Sequence, residues 1–216
     1  MVLDYSQLQK RLRPEIPWGS RLVIEPFLSE EDPASAVAAS IDFHLGNRFT
    51  LLRSRRDVQH DPLSKFSPIT SDRRQLGDIV TRELFIPMGE AFTIHPGQIV
   101  LGTTLEWYRF PEDLVADVIG RSIWGRRGLL IVTAQTVHPL SSGTITLEMC
   151  NLGEVGLRLR PGVSIGQLVF HKVQGSEDKQ DPAKVRKYSK FAGTLRPSLG
   201  EYKPSDVESF LLWQLE

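Results

Sequence analysis

A single cysteine, Cys150, is the only thiol in the chain. It cannot form an internal disulfide, and it makes a reducing compartment, the cytoplasm, the expected location. It also rules out the metal site of zinc-dependent base deaminases, which surround the ion with a His or Cys and a Cys-x-x-Cys pair. Long apolar runs are missing as well. The longest mainly apolar stretch, Leu129–Ala134, is strand length, far below the roughly 18 residues that span a bilayer. The polar opening Met1–Arg13 lacks the apolar core of a secretory leader, so no membrane partner is expected. Net charge is absent too, since 26 Lys and Arg balance 26 Asp and Glu. Such a chain has no overall field to gather nucleic acid or an anionic surface, and any anion has to be caught by a local arrangement of groups. Nor is there an internal repeat or a low-complexity tract. The 216 residues suit one ordinary domain, or a domain with appendages.

What the chain does have is turn chemistry between short β-rich runs. Apolar residues make up 40% and charged residues 24%, which allows a conventional core. A helix is expected at Tyr5–Arg11 with Asp4 as N-cap, and Leu22–Phe27 reads as a strand ending near Pro26. Ser40–Leu52 alternates, with Ile41, Phe43 and Leu45 facing one way, Asp42 and His44 the other, and a bend at Gly46-Asn47. A long polar loop over Arg53–Gly77 follows. Strand signals then crowd together at Glu83–Ile86, Ala91–Ile94, Ile99–Tyr108, Val115–Ile119, Leu129–Ala134, Thr144–Met149, Leu157–Leu159 and Ile165–Lys172. His95-Pro96-Gly97 and Arg160-Pro161-Gly162 carry the type II turn signature. Pro111-Glu112-Asp113-Leu114 reads as a helical turn and Ser141-Ser142-Gly143 as a tight link. Many short strands at this spacing indicate a sandwich or barrel, not a parallel α/β sheet. The division expected is a β domain over residues 1–173 and a polar tail over 174–216, closed by a helix at Asp206–Leu215 behind a Ser205/Glu208 capping box.

Five segments, taken in order, resemble the dCTP deaminase family of the dCTP deaminase and dUTPase superfamily. They are Ser40–Asn47, Phe92–Glu106, Gly120–Gly128 (similar to a Gly-Arg-Ser-Ser-x-x-Arg-x-Gly element), Gly143–Asn151, and Pro161-Gly162 followed by Ile165–Phe170. The resemblance implies a mainly β fold, a distorted β-barrel or jelly-roll-like domain of the β-clip, dUTPase-like kind. It implies a homotrimer or hexamer with active sites between subunits. It also implies replacement of the 4-amino group of dCTP by water, giving dUTP and ammonia without zinc. Relatives with this fold hydrolyse dUTP to dUMP and pyrophosphate, and some members do both.

The residues of Gly120–Gly128 carry their own chemical reading. A strand ends at Ile119, glycines bracket a short turn, and Ser122 stands where a helical turn begins. Exposed backbone N–H groups and a hydroxyl make a phosphate cradle, and Arg121 and Arg126 can add planar, multidentate contacts. The plainer alternative is a turn with two surface arginines. The resemblance assigns Ser122 and Arg126 to phosphate binding and polarisation of the reaction centre. In Thr144–Glu148, alternation puts Ile145 and Leu147 on one face and Thr146 and Glu148 on the other, so Glu148 is either an exposed charge or a working group in a cleft. The resemblance makes Glu148 the general base, a role best served by a pKa lifted by partial burial. It places Thr133 and Ala134 at the pyrimidine edge, and Lys190 and Thr194 in a tail that covers the phosphates. Magnesium is expected to arrive with the triphosphate, held by phosphate oxygens and water, with no metal ligands from the protein.

The chain also departs from the family pattern. Val137-His138-Pro139-Leu140-Ser141 stands where the family has Ile/Val-Asp-Pro-Gly-aromatic, so His138 replaces an aspartate and Ser141 an aromatic ring. Thr194 replaces a glutamine and Arg196 a glycine. A neutral imidazole at 138 can bond a sugar hydroxyl or act as a base, and the lost ring leaves a roomier sugar pocket. The resemblance implies that dUTP hydrolysis uses the replaced aspartate, so His138 counts against the first alternative, a dUTP diphosphatase or bifunctional enzyme, while the altered pocket motivates the second, a non-catalytic deoxynucleotide-binding relative.

Overall fold

The computed structural model describes residues 1–28, 39–53, 80–174 and 195–197. The loop expected over Arg53–Gly77 falls almost entirely outside these residues, as do the terminal helix, Lys190 and Thr194. The chain opens with α1 (Tyr5–Leu12), where Asp4 accepts from the Gln7 N–H and the Gln7 side chain reaches back to the Asp4 N–H. This reciprocal box satisfies two donors that a helix start leaves unpaired. Leu3, Tyr5 and Leu8 are buried, and the Leu3 N–H donates to the Phe170 carbonyl at 2.9 Å, so the N-terminal helix is part of the core.

Apart from one further helix of four residues, the regular structure of the described residues is antiparallel β in four sheets, none of which closes on itself. The largest has five strands, in the order β4 (Val80–Phe85), β3 (Arg48–Arg53), β6 (Ile99–Thr103), β12 (Thr146–Asn151) and β9 (Leu129–Ile131). A four-stranded sheet runs β10 (Thr136–Val137), β8 (Leu114–Gly120), β14 (Ser164–Lys172) and β2 (Ile41–His44). Three short strands, β1 (Val23–Glu25), β7 (Trp107–Arg109) and β11 (Ser142–Gly143), form a third sheet, and β5 (Phe92–Ile94) pairs with β13 (Leu157–Leu159). The inward rows meet in one core in which Phe43, Phe49, Tyr108, Phe110, Leu147, Met149, Ile165 and Phe170 are all buried.

The expected bend at Gly46-Asn47 separates β2 from β3. The type II turns are present, with Gly97 at φ 72° and Gly162 at φ 85°. Three local expectations are corrected. Ile99–Tyr108 is not one strand: β6 and β7 belong to different sheets, because the chain turns at Thr104–Glu106 and the Glu106 side chain goes inward. The turn at Glu112-Asp113 enters β8 at once and forms no helical turn. Ser142-Gly143 is not only a link, since it pairs with Arg109 and Tyr108 as β11.

Candidate functional site

Glu148 lies on β12 opposite Leu101, and Leu101 lies opposite Thr50. Side chains alternate across a strand, so Glu148 and Thr146 share one face while Leu147 and Met149, both fully buried, point into the core. The backbone of Glu148 is held on both sides. Its N–H donates to Thr133 Oγ1 at 2.9 Å and its carbonyl accepts from the Val132 N–H at 2.7 Å. The Thr133 hydroxyl also donates to the Thr146 carbonyl at 3.4 Å. Thr133, Thr146 and Glu148 therefore form one cluster, with Ala134 exposed beside it. The Glu148 carboxyl is half-buried and has no hydrogen-bond or ion-pair partner among the described residues. Burial raises its pKa above the ordinary glutamate value, because the charged form loses hydration without gaining a compensating contact.

This face is unusually apolar. Cys150 sits opposite both Ile99 and Leu130, and Ile99, Leu130 and Val132 are 46%, 45% and 54% exposed. A row of large exposed aliphatics beside a half-buried carboxyl has the character of a surface made to be covered.

The second group is built where β8 ends. The short helix α2 (Ser122–Gly125) follows Arg121 directly. The backbone N–H groups of Ser122 and Ile123 have no acceptor among the described residues, as expected for a first helical turn. The Ser122 hydroxyl and the Arg126 guanidinium are likewise exposed without a described partner. Arg121 is different: its Nη1 donates to Asp42 Oδ2 at 2.6 Å and to Ser164 Oγ at 2.7 Å. The turn is docked onto β14 by the Arg121 N–H on the Ile165 carbonyl (3.2 Å) and by Trp124 Nε1 on the Ser164 carbonyl (2.8 Å). It closes at Gly128, φ 90°, which lies against the backbone of Gly153. From there β9 runs alongside β12, with Ile131 opposite Met149. No hydrogen bond or ion pair joins the side chains of Arg121, Ser122 or Arg126 to Glu148 among the described residues; within one chain the two groups are connected through β9.

His138 is exposed, and its ring has no partner among the described residues. The Ser141 N–H donates to the His138 carbonyl at 3.3 Å, so residues 138–141 form a turn with Pro139 at its second position and Leu140 at its third. Leu140 sits at φ 61°, the one described non-glycine residue with positive φ. A side chain in that region is strained, and such strain concentrates at functional segments.

The sequence reading missed Asp42, Ser164 and Trp124 as site residues. Asp42 stood on the polar face of an alternating strand, a pattern that also fits plain solvent exposure. Nothing in the sequence around Ser164 announces a partner 43 residues earlier in the chain. The other polar residue of β2, His44, is also committed. Its Nδ1 lies 2.6 Å from Glu106 Oε1, and its backbone N–H lies 3.1 Å from both carboxylate oxygens. Glu106 is 2% exposed. The buried Tyr108 hydroxyl, 3.5 Å from Glu106 Oε2, has its pKa pushed well up by burial and by the Glu106 charge.

A family model described as dCTP deaminase-like matches residues 5–173. A dCTP deaminase of Halorubrum lacusprofundi is 38% identical over 192 residues, covering 88% of this chain and 86% of its own. A dCTP deaminase of Natronomonas pharaonis is 35% identical over 199 residues, covering 91% and 92%. A dUMP-forming dCTP deaminase of Pseudarthrobacter chlorophenolicus is 34% identical over 168 residues, covering 77% and 80%. Among solved structures, a 2′-deoxycytidine 5′-triphosphate deaminase from Agrobacterium tumefaciens aligns over 84% of this chain at 16% identity with a TM-score of 0.49, and this chain spans 51% of its length.

Proposed function

The chain belongs to the dCTP deaminase-like family, and from that premise we propose that it hydrolyses dCTP to dUTP and ammonia without zinc, with Glu148 as the general base. The observation that carries this reading is the state of Glu148: a half-buried carboxyl with a raised pKa and no described partner, on a strand whose backbone is fixed by Thr133 and Val132. A base of that kind takes a proton from water as the oxygen bonds to C4 of the cytosine ring, then returns protons to the amino group so that it leaves as ammonia. One water is consumed, C4–N breaks, and C4–O forms. Ser122 and Arg126, both without a partner among the described residues, supply a hydroxyl and a guanidinium to the phosphate chain and the reaction centre, and Arg121 adds a second cation. Thr133, Ala134 and Thr146 lie around the base-reading edge. His138, Lys190 and Thr194 are assigned to the sugar and phosphates on the resemblance alone.

Magnesium enters as the companion of the triphosphate. Its ligands are phosphate oxygens and water, as suits a hard cation that keeps much of its hydration. The partner that suits the apolar face around Ile99, Leu130 and Val132 is a second copy of the chain. A homotrimer or hexamer would bury that face and bring a neighbour's 120–128 turn towards Glu148. No described helix is long and apolar enough to cross a membrane, and the single free thiol suits the cytoplasm.

The test is ammonia release from dCTP with magnesium, compared with the Glu148→Gln variant. An active Glu148→Gln variant refutes the role assigned. The dUMP-forming relative motivates a second reading, a bifunctional enzyme. Pyrophosphate measured in the same reaction separates the two, and its release with dUMP would overturn the simple deaminase.

A further inference from the structure

We propose that Asp42 and Ser164 are positioning residues for the phosphate-binding arginine. They occupy one nitrogen of Arg121 and so aim the rest of its guanidinium at the triphosphate. This rests on the functional reading above but concerns residues to which that reading gives no task.

A guanidinium carries five N–H donors in a rigid plane. In Arg121 one nitrogen, Nη1, serves both Asp42 Oδ2 at 2.6 Å and Ser164 Oγ at 2.7 Å. Both acceptors lie on the Nη1 side of the guanidinium, 3.0 Å from each other. Nε and Nη2 have no partner among the described residues. Nε–H and one N–H of Nη2 form the planar two-donor edge that matches a phosphate. Ser164 is itself oriented, because its hydroxyl donates to Asp42 Oδ2 at 3.0 Å. The three groups therefore close a ring of contacts in which rotation of any one breaks two bonds. Ser164 contributes a second time through its carbonyl, which accepts from Trp124 Nε1 at 2.8 Å and ties the far side of the same turn to β14.

The placement is built into the strand pairing. Ser164 stands opposite His44, but Gly166 stands opposite Phe43, a bulge between them. Bulges of this kind re-aim side chains beside active sites. Here the bulge puts Ser164 and Gln167, three residues apart, on the face of Asp42, while Ile165 and Leu168 are both fully buried. Asp42 and Arg121 remain about two-fifths exposed, so the pair contributes little to stability and its worth is geometric.

The experiment compares wild type with Ser164→Ala, Ser164→Thr and Asp42→Asn. It reads dCTP deamination kinetics and, separately, equilibrium binding of inorganic tripolyphosphate. The expected result is a 3- to 10-fold rise, roughly, in KM and in tripolyphosphate Kd for Ser164→Ala and Asp42→Asn, with a smaller change in kcat. Ser164→Thr, which keeps the hydroxyl, restores most of the loss. Wild-type KM and Kd in both disruptive variants overturn the proposal, as does a fall confined to kcat. If wild type binds tripolyphosphate but releases no ammonia from dCTP, the deaminase reading fails while the Kd arm still decides this one.

Discussion

Gly166 is where the bulge meets the core, and Gly166→Ala should be severely destabilising. A Cβ there would lie 2.1 Å from Phe43 Cζ, 2.6 Å from Phe43 Cε1 and 2.8 Å from the Ile119 carbonyl oxygen. The ring cannot step aside, because Phe43 is fully buried. The carbonyl cannot either, because β8 is locked to β14 along its length. Forcing a methyl into a packed core costs about 1–3 kcal/mol, and a clash with both a ring and a ladder carbonyl belongs at the top of that range, about 3 kcal/mol. For a domain of this size each kcal/mol moves the midpoint by about 2–4 °C, so a loss of roughly 6–12 °C is expected at fixed protein concentration. Phe43→Leu removes the ring tip and relieves the closest clash. Gly166→Ala should therefore cost at least about 1 kcal/mol less in the Phe43→Leu background than in wild type. Thermal or urea unfolding followed by circular dichroism measures both. A Gly166→Ala midpoint within about 2 °C of wild type, or strictly additive losses in the double variant, refutes the steric account.

Glu106→Ala should cost about 3–5 kcal/mol in urea unfolding, because it leaves the His44 imidazole and backbone N–H without their buried acceptor; a loss below about 1 kcal/mol would show that water substitutes for the carboxylate. Asn151→Ala removes bonds to the Ile94 and Val155 carbonyls and from the Gly153 N–H, a loss of about 2–4 kcal/mol by the same measurement. The raised pKa of Glu148 should place the acid limb of kcat above the pH of an ordinary glutamate, and a limb at the ordinary value speaks against a desolvated base. The same shift has a stability signature. Between the unfolded and the folded pKa the native chain keeps a proton that the unfolded chain has released, so this group's contribution is full below the unfolded value and is lost as pH rises through the folded one. Glu148→Gln should flatten that part of the stability–pH curve, and an unchanged curve sinks the inference.

The β character, the Asp4 N-cap, the two type II turns and the inward face of β12 were all legible, because each rests on local chemistry or a period of two. Asp4 and Gln7 lie in one turn, and Leu147 and Glu148 must face opposite ways once the strand is granted. The pairing of Ser142-Gly143 was not legible, since two residues without β propensity become a strand only when Arg109 and Tyr108 are already in place. The break in Ile99–Tyr108 was hidden for a related reason. Thr104-Leu105-Glu106 looks like continuous strand sequence, but the buried carboxylate of Glu106 needs the His44 donors and turns the chain towards them. At the site, Glu148 and the turn residues could be named from the sequence. The contacts of Arg121 could not, because they span 79 and 43 residues of chain.

A period of two is also what fails at β14. Ser164-Ile165-Gly166-Gln167-Leu168 does not alternate, and its burial runs half-buried, buried, buried, half-buried, buried. A regular ladder with Ser164 opposite His44 would bring Gly166 opposite Asp42 and turn Gln167 into the core. The bulge shifts that register by one, so Gln167 faces Asp42 and takes the Ser40 hydroxyl at 3.0 Å. Both polar side chains of β2 are thereby engaged on the same face, Asp42 with Arg121 and Ser164, His44 with Glu106. A slip of β2 by one residue would break both sets at once and expose Ile41 and Phe43. The buried pair at His44 thus fixes the register in which Asp42 can hold Arg121, and stability and site geometry depend on the same four residues of chain.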